Sequence, residues 1–416
     1  MVQFRKPALL WTGFIFIFFS VVHAQENKKK SVVSQGIIQR PDGNGIPFTI
    51  ISSGTNDKTS LVIQNADERI ALKNIQRKGD SLFAEFPVFE SRIHLFTGYA
   101  DRWTGFWFKG SPAGYSLQPL QIYLNRHDRF KTTIVPPKYN ISGRWSVEFI
   151  RNDHSKRPSV AEFVQTGNHI KGTFLNLSGD YRYLEGIVSG DSLMLSTFDG
   201  SHAFYFRAQI ESGDRIVNGL YCSGTARKEN WSALKDANAK LPDDSVHPSV
   251  AKKDEPLKFS FPDLDGKMIS IQDQRFRNKV VVIQLMGSWC SNCMDETAFL
   301  SEFYHRNKSR GVELMGLGYE YSTDRDRSAK SMRKFRERFH IKYPLLITGA
   351  TASDSLRIQK TLPQLENIES FPTTIFVDKS GRVRKIHTGF SGPATGEHYE
   401  EEKKMFQDEV DELLSE

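Results

Sequence analysis

At 416 residues the chain is too long for one ordinary core, and its 38% apolar and 25% charged content fits a globular protein of two or three domains. A formal charge of +7 is interspersed with acids rather than gathered in one patch, which excludes nucleic acid as the expected partner. Three cysteines are too few for a disulfide-stapled secreted fold.

The chain opens with Arg5 and Lys6, an apolar run over Ala8–Val22, and small residues in Val22-His23-Ala24. That is the layout of a cleaved secretory leader over residues 1–24. The apolar run is shorter than the ~20 residues a spanning helix needs, so no stable membrane span is expected after cleavage. The expected location is periplasmic.

Residues 25–235 alternate short apolar–polar stretches with hairpin chemistry, as at Thr166-Gly167-Asn168 and Ser189-Gly190-Asp191. Regular strand spacing predicts an antiparallel sandwich or barrel. Gly79-Asp80-Ser81-Leu82 recurs as Gly190-Asp191-Ser192-Leu193. The stretch from Asp101 to Gly110 is echoed, one residue longer, from Asp214 to Gly224. Two related β-rich halves follow, 25–137 and 138–235, with a seam near Val135-Pro136-Pro137. The echo sets Cys222 opposite Phe108, which makes it a buried packing residue. Trp103, Phe106, Trp107 and Tyr221 are core residues on this reading, with a ligand cavity as the alternative. Residues 236–256, rich in Pro, Asp and Lys, read as an exposed, mobile linker.

From residue 257 to 416 strands and helices alternate, an α/β pattern with a central mixed sheet flanked by helices. Val280–Leu285 is apolar except for Gln284 and predicts a central strand. A helix is expected from about Asn292 to Lys308. The basic stretch Arg325–Arg338 reads as the solvated face of an amphipathic helix. Thr374–Val377 and Val383–Ile386 flank a hairpin turn, and a helix closes the chain.

Gly287-Ser288-Trp289-Cys290-Ser291-Asn292-Cys293 falls at the strand-to-helix junction. A cysteine there faces unpaired backbone N–H groups and the positive end of the helix dipole, which favours thiolate. A second cysteine one turn on can attack a mixed disulfide. Cys290 is thus expected to attack and Cys293 to resolve. Zinc would need further ligands that the spacing does not supply, so no metal or cofactor is expected.

Trp289-Cys290-Ser291-Asn292-Cys293, then Glu296, then Phe371-Pro372-Thr373-Thr374 before a strand resemble the TlpA/ResA-like branch of the thioredoxin superfamily. The resemblance covers roughly residues 254–416. It implies a thioredoxin-like fold, a redox-active Cys290–Cys293 disulfide, and a cis Pro372 beside the dithiol. It also implies substrate contacts from Trp289 and Phe371, and a proton acceptor in Glu296. Many thioredoxins carry a buried Asp where this chain has Gln284, which leaves Glu296 the better base. The residue before the second cysteine is often Pro in this branch and here is Asn292; two after the Glu, Ala298 replaces another common Pro. The β-rich region resembles loosely lipocalin-like extensions found on such proteins.

These readings predict a periplasmic thiol–disulfide oxidoreductase, reductive in direction, with protein thiols as substrates and an upstream electron donor as partner. The alternative is a binding or assembly protein whose β-rich region recognises a partner, with the redox domain accessory. A peroxiredoxin-type peroxidase is disfavoured, because Ile283 and Gly287 stand where its Pro and Thr would be.

Overall fold

The computed structural model describes Met1 and residues 31–54, 59–242, 248–250 and 255–416. The leader expected over 1–24 lies, Met1 apart, outside the described residues, as do 243–247 and 251–254 of the linker. No helix among the described residues is long and apolar enough to cross a membrane.

Two antiparallel sheets, each of nine strands, precede the linker. The first runs from Ser31–Ile38 to Gly114–Tyr123, and its last strand returns to its first with Gln35 opposite Tyr123. The second runs from Gly143–Ile150 to Arg227–Lys235 and returns likewise, with Trp145 opposite Lys235. Lys156–Thr166 pairs with both Gly143–Ile150 and His169–Asn176, so this sheet closes into a barrel-like ring. Period-two alternation sorts side chains between the interior and the outer face. In Ala203–Ser212, Phe204, Phe206, Ala208 and Ile210 turn inward while Arg207 and Gln209 face out. The interior of the ring is an aromatic core that includes Trp145, Phe149, Phe174, Phe206, Tyr221 and Trp231.

The repeated motifs occupy matching places. Ser81–Glu85 and Ser192–Phe198 each precede a hairpin that ends in Arg102–Ser111 or Arg215–Ser223. The extra residue of the second copy is taken up by a bulge between Ile216 and Gly219, where Asn218 adopts a positive φ of 53°. Cys222 is fully buried and unpaired. Trp107 and Tyr221 are core residues, Trp103 packs partly against the first core, and Phe106 faces outward.

Phe198 is one of the side chains that join the two halves. Phe198 leaves the second sheet and inserts into the first core, its ring 4.7 Å from Phe48, 4.8 Å from Trp107 and 5.3 Å from Phe86.

The last described domain is a five-stranded mixed sheet. Its order is Leu345–Ile347, Val312–Gly318, Val280–Met286, Thr373–Val377, Val383–Thr388. The first three strands are parallel and the last two antiparallel to their neighbours. Every residue of Val280–Met286 is buried, as its apolar run requires. Helices Ser291–Asn307, Arg325–Arg338 and Glu397–Ser415 flank the sheet.

Three expectations need correction. Phe106, expected in the core, is exposed on its strand, on the face opposite buried Trp107. The linker is not wholly free: Ala239 packs against Val160 and Leu175, and Ser249–Val250 pairs antiparallel with Leu365–Glu366. Nor is the basic face of Arg325–Arg338 all solvated. Arg327 forms an ion pair with Glu90 at 2.9 Å and donates to Ser111 O, and Lys334 reaches Glu85 at 3.2 Å. Charge spacing marks the polar face of a helix but not the neighbour that face meets.

Removing the Phe198 ring leaves a cavity in a core it does not otherwise belong to. Phe198→Ala is expected to cost about 3–5 kcal/mol. Urea unfolding followed by tryptophan fluorescence measures this, and a loss under about 1 kcal/mol would mean the two halves do not depend on this ring.

Candidate active site

The buried strand Val280–Met286 delivers the chain to the start of helix Ser291–Asn307. Cys290 is the N-cap residue, in extended conformation, and Cys293 N donates to its sulfur at 3.1 Å. The two cysteines form a disulfide with Cα atoms 5.2 Å apart. Cys290 is 6% exposed and Cys293 fully buried, so the first sulfur is the accessible one. The Phe371–Pro372 peptide is cis, and Cys290 Sγ lies 3.7 Å from Phe371 O. The indole Nε1 of Trp289 donates to Tyr319 O at 2.9 Å, and its ring stacks on Tyr321 and meets Phe371 edge-on. Trp289, Cys290, Phe371 and Pro372 are therefore gathered at one place.

Glu296 lies beneath them, fully buried. Its two oxygens accept from Thr374 Oγ1 and Gln284 Nε2, each at 2.6 Å. Gln284 Nε2 also donates to the Cys293 carbonyl at 3.2 Å, and Gln284 Oε1 accepts from Thr297. Burial pushes the Glu296 carboxyl up to about 7, with the two hydrogen bonds opposing. Glu320 is similar: burial raises it to about 7 while the Ser288 backbone and hydroxyl donate to it.

The β-rich region closes over the start of the redox helix. Ser201 Oγ donates to Trp289 O at 2.6 Å, Ser291 Oγ to Asp199 at 2.8 Å, and Asn292 Nδ2 to Ser178 O at 3.1 Å. His202 Nδ1 lies 3.0 Å from Ser291 Oγ. Gly179, at φ 130°, allows the approach: a Cβ there would stand 2.0 Å from Asn292 Nδ2. Behind this contact, buried Arg182 pairs with Glu68, Asp295 and, at 3.8 Å, Asp199. Burial, with Asp180 and Glu68 nearby, pushes Asp295 up against the pull of Arg182. Burial also pushes at Asp199, but hydrogen bonds from His202 and the charges of His202 and Arg182 outweigh it and hold Asp199 low.

Several of these groups were not singled out from sequence. Gln284 stands where many thioredoxins carry Asp, and a lone amide in a buried apolar strand also signals a polar partner to be satisfied. Asp295, next to Glu296, and Arg182 carried no local signal, because their partners are distant in the chain. Asn292 replaces a common Pro, and its amide is spent on docking.

A family model described as Redoxin matches residues 237–402. The thiol-disulfide oxidoreductase ResA of Geobacillus kaustophilus is 30% identical over 131 residues, covering 32% of this chain and 66% of that protein. ResA of Bacillus thuringiensis subsp. konkukian is 28% identical over 125 residues, covering 30% and 62%. The chain spans slightly less than two thirds of the length of these curated relatives. Among solved structures, a thioredoxin-family thiol:disulfide interchange protein from Chlorobium tepidum aligns at 19% identity and a TM-score of 0.30, covering 41% of this chain and 99% of its own. A thiol-disulfide oxidoreductase from Bacteroides fragilis aligns at 18% identity and 0.28, covering 37% and 98%. The curated relatives favour a redox protein over a binding protein with an accessory redox domain.

Glu296 and Glu320 hold their protons more tightly folded than unfolded. Their stabilising contribution is complete below about pH 4.5 and is lost as pH rises through about 7. The melting temperature should fall from about pH 5 to about pH 8, and Glu320→Gln should flatten that fall. Thermal denaturation across the series tests it; an unchanged slope in the variant would show that Glu320 ionises as easily folded as unfolded.

Proposed function

We propose that the chain is a periplasmic thiol–disulfide oxidoreductase of the TlpA/ResA-like branch of the thioredoxin superfamily that reduces disulfides, a reading supported by the Redoxin match and the ResA relatives. The observation that carries the reading is Cys290 capping the redox helix beside Phe371–Pro372, with Cys293 buried one turn deeper. The expected leader over 1–24 supports export to a compartment where disulfides persist. The proposed division is two β-rich halves to 235, a linker to 256 and the redox domain to 416.

In the proposed cycle the Cys290 thiolate, favoured at the helix N-terminus, attacks a substrate disulfide and forms a mixed disulfide. Trp289 and Phe371 flank the incoming sulfur, and the backbone beside Pro372 pairs with extended substrate. Cys293 then gives up its proton and attacks Cys290 Sγ, releasing the reduced substrate. Glu296 takes the proton: it is one helical turn away, shares Gln284 with the Cys293 carbonyl, and is held near 7 by burial. Gln284 and Thr374 are positioning residues for that carboxylate. No imidazole stands between the cysteines to hold the reduced pair as thiolate, which supports a reductive direction. An upstream dithiol donor restores the reduced pair.

Cys290→Ser is expected to abolish insulin reduction coupled to dithiothreitol; undiminished turnover would overturn the reading. Cys293→Ser should accumulate mixed disulfides on Cys290, detectable by mass spectrometry. The rate of the resolving step should rise as pH passes about 7 and Glu296 deprotonates. Glu296→Gln should slow that step by roughly 10²-fold and remove the rise, as read by stopped-flow fluorescence.

A further inference from the structure

The wall facing Cys290 belongs to the β-rich region. A cleft of about 690 Å³ runs between the barrel-like second sheet and the loop of Trp289, Cys290 and Phe371. A substrate sulfur that reaches Cys290 from this side must lie within it. The β-side wall is basic, with Lys109 from the first half and Arg151, Arg157 and Arg227 from the second.

These cations are under-neutralised. Arg157 and Arg227 share one carboxylate, Glu229, at 2.8 and 2.5 Å. Among the described residues no carboxylate forms an ion pair with Lys109 or Arg151. Arg182 also borders the cleft, but its charge is matched by Glu68, Asp199 and Asp295. Of the acids that line the cleft, Asp180 is buried and accepts from the backbone of Gly392, and Glu369 lies exposed on the redox side. Burial depresses the Lys109 ammonium, and the charge of Asp199, which forms no ion pair with it, only partly opposes this.

The cations are also held in place. The Arg157 guanidinium lies 4.2 Å over the Phe149 ring, and its buried Nε has no hydrogen-bond partner. Arg227 lies 5.9 Å over Tyr221. Planar forks fixed on aromatic faces are suited to carboxylates. A ligand here must present a sulfur to Cys290 and negative charge to the opposite wall.

We infer that the cleft selects disulfides that carry carboxylates close to the sulfurs, and that the β-rich region is thereby the specificity element of the enzyme. The inference rests on the redox reading above. In the step, the Cys290 thiolate displaces one substrate sulfur, which leaves as a thiolate and takes a proton from water. Cys293, its proton passed to Glu296, then displaces the second. The enzyme dithiol loses two electrons, and the substrate disulfide gains them and becomes two thiols. Acidic residues flanking a peptide cystine, or the carboxylates of a small thiol such as glutathione, present the same chemistry.

The test uses the full chain, reduced beforehand and freed of reductant, in single turnovers followed by tryptophan fluorescence. Substrates are three cystine-bridged peptides of equal length with acidic, neutral or basic flanks, and oxidised glutathione. The acidic peptide or oxidised glutathione should react roughly tenfold or more faster than the basic peptide at low salt, with the gap closing at high salt. A preference confined to the acidic peptide assigns a protein source; one confined to oxidised glutathione assigns a small thiol. The double variant Arg151→Glu/Arg227→Glu, on exposed side chains, should invert the acidic-to-basic ratio. That ratio is taken within one preparation, so partial loss of folded protein does not affect it. Equal rates for all charges, or an unchanged ratio in the variant, would overturn the inference and leave the redox reading intact. Failure to reduce even the neutral peptide in a Cys290-dependent way would instead overturn the redox reading.

Discussion

A single buried guanidinium holds the architecture together at its most consequential point. Arg182 comes from the second β-rich half, Glu68 from the first, and Asp295 from the redox helix. Burying such charges costs several kcal/mol per ion, which is repaid only when geometry and hydrogen bonds are nearly complete. Three carboxylates around one cation leave surplus negative charge, and burial pushes the Asp295 carboxyl up to about 7 against the pull of Arg182. The cluster thus fixes how the two halves sit on the redox helix more than it stabilises any one of them. Ser291 and Asn292 can reach Asp199 and Ser178 because that seating is fixed.

The redox centre divides into an accessible layer and a sealed one. Above, Cys290 touches the Phe371 carbonyl beside a cis proline, with Trp289 braced by Tyr319 and Tyr321. Below, Gln284, Thr374 and Glu296 form a closed hydrogen-bonded unit under Cys293. In that sealed layer a carboxylate can change its charge near neutrality without contact with bulk water, which suits moving one proton at a time.

Much of the redox domain was legible because its signals are local. A continuous apolar run, a Cys-x-x-Cys at its end and a Phe-Pro before a strand each fix a backbone position without reference to the rest of the chain. The repeat was legible for the same reason, down to the extra residue that becomes a bulge near Asn218. Contacts between domains were not. Nothing near Arg182 in sequence indicates Asp295, more than a hundred residues away, and the helical period of Arg325–Arg338 could not reveal that Arg327 and Lys334 meet the first sheet. Glu296 is suggested by the family resemblance, but its burial and its hydrogen bond from Gln284 follow from tertiary packing.

In an isolated redox domain the two residues between the cysteines are free to set the potential of the pair. Here the Ser291 hydroxyl and the Asn292 amide are also the joint between domains. Any exchange of that dipeptide alters thiol chemistry and domain seating together. The dipeptide therefore couples the chemistry of the pair to the seating of the β-rich region, with the Asn292 amide making a cross-domain hydrogen bond that a Pro could not.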